Sequence, residues 1–103
     1  MILAEFSMFP TDVGESKSKY VSQVIDYIDK SGINYKLTPM STILEGEWDE
    51  VMKIITECYK ILEPQVKRIY TVIKIDARPG KSEMMKSKIE SVKNKLGRDI
   101  KHS

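Results

Sequence analysis

Two stretches of strict apolar–polar alternation sit at opposite ends of this chain, and the residues between them switch to helical spacing. From Ile2 to Phe9 a period of two puts Ile2, Ala4, Phe6 and Met8 on one face and Leu3, Glu5, Ser7 and Phe9 on the other, and Pro10 closes the run. Val66 to Asp76 repeats the pattern, with Ile69, Thr71, Ile73 and Ile75 opposed to Tyr70, Val72, Lys74 and Asp76. Strands at both ends restrict the fold to arrangements in which the chain leaves a sheet and returns to it.

The intervening segments supply the crossovers. Tyr20, Val21, Val24, Ile25, Tyr27 and Ile28 recur at helical spacing after a Ser16 or Ser18 cap, and Ser31-Gly32 ends that helix. Ile33 to Leu37 and Met40 to Leu44 read as two short strands joined by a hairpin at Pro39. Gly46 breaks the chain before a helix from about Glu47 to Leu62. There Val51, Ile54, Ile55, Cys58, Tyr59 and Leu62 form a buried stripe, and Glu47, Asp49 and Glu50 complement the helix dipole. After Pro79-Gly80, a last helix is expected over about 82–97, capped by Ser82 and ended by Gly97. Its apolar side is Met84, Met85, Ile89, Val92 and Leu96.

The order β-α-β-β-α-β is what right-handed split βαβ units produce. The fold expected is therefore α+β: one ferredoxin-like domain over residues 1–103, an antiparallel sheet with two helices on one face, plus the C-terminal helix. Such a sheet leaves one face bare, yet Leu3, Phe9, Tyr70 and Val72 make that face more apolar than a solvated one. Either the extra helix or the sheet of a second copy is expected to cover it. At 103 residues a monomer buries only about two-thirds of its unfolded surface, which favours a homo-oligomer.

Charge and residue counts exclude several functions. A net charge of +2, spread along the chain, gives no concentrated field for a phosphate backbone, and the lysines from Lys81 to Lys101 are interrupted by Glu83, Glu90 and Asp99. No nucleic-acid partner is expected. No apolar run approaches the ~20 residues of a bilayer span, and the N-terminus lacks a basic leader, so neither membrane insertion nor export is expected. Cys58 is alone, so no internal disulfide can form, which suits a reducing cytoplasm. The single histidine, His102, is next to last, and no histidine-based catalysis or metal site is expected. No cofactor is expected, and an enzymatic reading would have to rest on Glu45 or Asp76 alone.

What remains is a set of polar residues near strand ends: Ser7, Thr42, Glu45, Asp76 and Arg78, with Gly46 and Trp48 beside Glu45. Two readings stay open. Glu45 caps the adjoining helix while Asp76 pairs with Arg78 or Lys74. Alternatively, a carboxylate and hydroxyls orient a flat ligand against Trp48, Phe9 or Tyr20.

The order of several segments resembles the thiamine-binding protein family. They are Ala4-Glu5-Phe6-Ser7-Met8-Phe9-Pro10, Ser18-Lys19-Tyr20-Val21, Ser31-Gly32-Ile33-Asn34-Tyr35, the run from Pro39 to Glu47, and Lys74-Ile75-Asp76-Ala77-Arg78. The resemblance implies a cytoplasmic homodimer or tetramer built through its sheets, binding thiamine or its hydroxymethylpyrimidine part without catalysis. It points to Ser7, Thr42, Glu45 and Gly46, and further to Asp76 and Arg78. Leu44 stands where isoleucine is expected, a conservative change. Ser41 stands where glycine is expected, which narrows any pocket near Thr42. The alternative function is a structural or regulatory assembly module with no dedicated ligand.

Overall fold

The computed structural model describes residues 1–79 and 84–101 and contains all the expected elements. β1 (Ile2–Pro10) leads through a short 3-10 turn into α1 (Lys17–Ser31). β2 (Asn34–Leu37) and β3 (Thr42–Gly46) form a hairpin, α2 (Trp48–Leu62) crosses back to β4 (Ile69–Ala77), and α3 (Met84–Leu96) follows. The sheet is antiparallel with order β2-β3-β1-β4, so the first and last strands of the alternating pattern are neighbours. The Pro79-Gly80 turn and the Ser82 cap, with Glu83 and His102, fall at least partly outside the described residues, as does the Met84 side chain.

The alternation of β1 becomes two chemically distinct faces. Ile2, Ala4, Phe6 and Met8 are buried against α1 and α2 with Val24, Ile28, Leu44, Val51, Ile54, Ile55, Cys58 and Leu62, which form one core. Burying that many apolar side chains is the main source of stability, at roughly 1.5–3 kcal/mol for each large one. Register then assigns the opposite face: Asn34, Glu45, Leu3 and Asp76 form one cross-strand row, and Lys36, Ile43, Glu5 and Lys74 form the next.

Three local expectations change. Neither Ser16 nor Ser18 caps α1 through its side chain, because the 3-10 turn Gly14–Ser16 feeds directly into the helix and leaves Ser16 near φ −81°, ψ 6° instead of extended. The third strand begins at Thr42, not Met40. The Thr38 hydroxyl accepts the backbone N–H groups of Met40 and Ser41 at 3.3 and 3.0 Å, so both belong to the turn. The fourth strand begins at Ile69, not Val66, while Glu45 and Asp76 are each next to last in their strands, near the ends as expected. Gly32 does end α1, at φ +81° with its N–H donating to the Asp29 carbonyl, a conformation that favours glycine.

The bare face is covered at one end only. The start of α3 lies over the Glu45 row, whereas Val92 and Leu96 further along that helix are exposed. β4 is a sheet edge that neither crossover helix covers. Tyr70 and Val72 on its open side, and Ile73 and Ile75 on its helix side, are all exposed.

Candidate functional site

The strands position the polar residues by a mismatch in length. β1 is paired with β4 along all nine of its residues, but β3 accompanies it only from Ile2 to Phe6. Beyond Phe6, the β3 side of β1 faces the hairpin turn and the first turns of α1. A cleft of about 470 Å³ opens there, lined by Phe6 to Phe9 of β1, Lys17, Val21, Val24 and Ile25 of α1, and Leu37 to Thr42 of the hairpin.

Hydroxyls and one aromatic ring give this cleft its chemistry. Thr42 is 6% exposed, and its side chain makes no hydrogen bond among the described residues. No sealed side-chain oxygen or nitrogen lacks a partner either, so the Thr42 hydroxyl reaches the water in the cleft. Ser41 donates to Glu5 Oε2 at 3.0 Å, and Lys74 stands 3.6 Å from the other Glu5 oxygen. Phe9 forms the wall. Its ring packs on Tyr70 at 5.8 Å between centroids, and the Lys17 ammonium sits 4.7 Å above its centroid.

The Glu45 row lies elsewhere. Ser7 is four residues along β1 from Leu3, the partner of Glu45, which is about 14 Å at a strand rise of about 3.4 Å per residue. Glu45 is 5% exposed, and both of its carboxylate oxygens are occupied. Asn34 Nδ2 donates to Oε1 at 3.0 Å, and the backbone N–H of Met85, in the first turn of α3, donates to Oε2 at 2.9 Å. Glu45 therefore caps a helix, but it is α3 reached across the sheet, not the adjoining α2. Beside it is a hollow of about 320 Å³ lined by Asn34, Tyr35, Lys36, Glu45, Met85 and Lys86.

Asp76, in the same row, accepts from Lys88 at 2.6 Å and pairs with Arg78 at 3.6 Å. The Lys88 hydrogen bond, helped by the charges of Lys88 and Arg78 and opposed by partial burial, holds the Asp76 carboxyl below the ordinary carboxylate range. Glu45 and Asp76 together pin α3 to the sheet.

The sequence-derived set thus divides. Ser7 and Thr42 both border the cleft, Thr42 from the helix side with Phe6, and Ser7 from the open side with Val72, while Glu45, Asp76 and Arg78 share the α3 clasp. Gly46 pairs with Ile2 on the helix side, where a β-carbon would come within 3.3 Å of the Glu50 carboxyl carbon. Trp48, at the start of α2, is half exposed and lines neither the cleft nor the hollow. Asn34 and Lys17 were not singled out. Asn34 becomes visible as Glu45's neighbour only once the hairpin register is known. Lys17 carried a usable signal, a basic residue opening a helix whose first turn holds no acid.

Known proteins share this architecture. Residues 4–93 match the family model described as thiamine-binding protein. A UPF0045 protein of Methanocaldococcus jannaschii is 32% identical over 91 residues, covering 88% of this chain and 91% of its own length. One from Mycobacterium bovis is 33% identical over 96 residues, covering 92% and 94%. The crystal structure of the M. jannaschii protein superposes with a TM-score of 0.80 over 88% of this chain and 94% of that one. A Thermotoga maritima protein, described as a candidate for thiamine biosynthesis or salvage, has the same fold with a TM-score of 0.77 at 23% identity, covering 88% and 97%.

The clasp generates two predictions. Glu45→Ala leaves the part-buried Met85 N–H without its acceptor, at a cost of about 1 kcal/mol, while the exposed Asn34 amide turns to water. Hydrogen exchange should accelerate in α3 while β1 and β3 keep their protection; unchanged α3 exchange would remove the capping role. Because the Asp76 pKa is lowered in the folded state, its contribution is complete above the unfolded value of about 3.9 and lost as pH falls through the folded value. Acidification through that window should release the Lys88 contact in NMR titrations before the core unfolds, and Asp76→Asn should abolish that step.

Proposed function

The chain belongs to the thiamine-binding protein family, and from that premise we propose that it is a non-catalytic carrier that holds thiamine or its hydroxymethylpyrimidine part in the cleft beside β1. The observation that supports this most directly is the water-facing hydroxyl of the otherwise buried Thr42, in a cleft whose lining also includes Ser7. Its size lies within the roughly 300–1,000 Å³ of typical small-molecule sites. An aminopyrimidine presents ring acceptors and an exocyclic donor that hydroxyls can match, and its flat face fits against Phe9.

A carrier is a better reading than an enzyme because the one thiol is unsuited to attack. Burial, with the nearby Glu57 charge, pushes Cys58 up to about 12, and it sits among core side chains away from the cleft. A lone buried cysteine also suits the reducing cytoplasm that we assign to the protein.

We propose that the carrier works as a homo-oligomer, with β4 pairing antiparallel to β4 of a second copy. A nine-residue edge with four exposed apolar or aromatic side chains and no proline is a surface that monomers normally guard. Val92 and Leu96 of α3 add exposed apolar area that a further contact would bury, giving a tetramer. An assembly module without a ligand is the alternative that the same edge supports.

Calorimetric titration with thiamine and with hydroxymethylpyrimidine tests the carrier. Saturable heat is expected, weakened about fivefold to tenfold in Thr42→Val, the loss of one hydrogen bond. Absence of heat at millimolar ligand would leave the assembly reading. For the oligomer, light scattering should give a multiple of 11.9 kDa that falls to the monomer mass in Val72→Asp/Ile73→Lys. A monomeric parent protein would refute it.

A further inference from the structure

The cleft is electrically one-sided. Among its lining residues Lys17 alone carries a charge, and among the described residues it forms no ion pair. Its ammonium rests on the Phe9 ring, the wall against which a flat ligand would lie. Lys17 is also the first residue of a 15-residue helix whose own first turn contains no acid, although Glu15 lies in the 3-10 turn that runs into it, and the Ser16 side chain accepts no backbone N–H there. A positive side chain at the positive end of a helix dipole is an unfavourable placement, which an anion bound there would reverse. The buried Thr42 hydroxyl in the same cleft, without a protein partner, marks an independent polar contact for a ligand.

Free thiamine leaves this positive charge unanswered. Its thiazolium ring is a cation, and Lys17 both repels it and already occupies the aromatic face that would receive it. A phosphate group removes both difficulties. Drawn toward an anion, the Lys17 ammonium leaves Phe9 free for a ring.

We propose that the cleft selects a phosphate ester, so that the preferred ligand is thiamine monophosphate or phosphorylated hydroxymethylpyrimidine, with Lys17 as the specificity-determining residue. This rests on the carrier reading for the aromatic part of the ligand but not for the anion, and the two are tested separately. Calorimetry should give the phosphorylated form about tenfold tighter binding than its free counterpart, a preference that collapses toward unity in Lys17→Met. Equal affinities in the parent protein would overturn the proposal while leaving the carrier intact.

Inorganic phosphate provides the second arm. In an NMR titration it should shift the amides of Ser16 to Lys19 in the parent protein and leave them unmoved in Lys17→Met. Those shifts without binding of any pyrimidine would uphold the anion site and refute the carrier. No shift at α1, or shifts centred on another part of the surface, would refute the anion site. Retained dispersion of the core resonances in Lys17→Met, an exposed position, separates lost binding from lost folding.

Discussion

A central strand longer than one of its two neighbours governs this molecule. β4 follows β1 for nine residues and β3 follows it for five, because Thr38 to Ser41 are committed to a turn held by the Thr38 hydroxyl. Phe6 and Met8 belong to the core and also floor the cleft where β3 no longer reaches. What cannot close is the flank of β1 between Ser7 and Pro10. The cleft is thus a consequence of pairing geometry, and its hydroxyls follow from the two strands that diverge there.

At the other end of the sheet the problem is a carboxylate inside a β-strand. An ionised Glu45 that is 95% buried would be costly without donors, and the fold supplies one from each side: the Asn34 amide across the hairpin and the Met85 N–H from α3. The same bonds give α3 a fixed point of attachment. Hydrophobic contact alone would hold it poorly, because Val92 and Leu96 face solvent and none of the helix's described side chains is fully buried. Attachment through Glu45 and Asp76 makes α3 sensitive to single substitutions, and to acid through Asp76, whereas the sheet beneath depends on apolar packing.

The sequence made the fold legible because its faces were written in two clean periods. Ile2, Ala4, Phe6 and Met8 are buried as their alternation requires, and Val51, Ile54, Ile55, Cys58 and Leu62 are buried as helical spacing requires. Tyr59 departs, being exposed at the margin of its stripe. The site was harder to read. Proximity along the chain suggested that Thr42, Glu45 and Gly46 act together, yet Thr42 and Gly46 face the helices while Glu45 faces the open side. Register separates residues that sequence places side by side, and it joins Asn34, Glu45 and Asp76, which sequence keeps far apart. Periodicity identifies a face but cannot rank positions along it, so a helix arriving from residue 84 onward to claim Glu45 left no local mark in β3.

The cleft and the unguarded edge are not independent. Phe9 lines the first, Tyr70 belongs to the second, and their rings touch in a tilted contact. A second copy paired along β4 would bury Tyr70 and limit the positions its ring can take, which in turn fixes the Phe9 wall. A monomer leaves both rings with freedom that a ligand would have to remove on binding, at a cost of about 0.5–1.5 kcal/mol for each immobilised side chain. Assembly would therefore tighten the cleft without adding a contact to it. If the edge pairs as proposed, Tyr70, which would join it to a second copy, would also support the wall of the cleft.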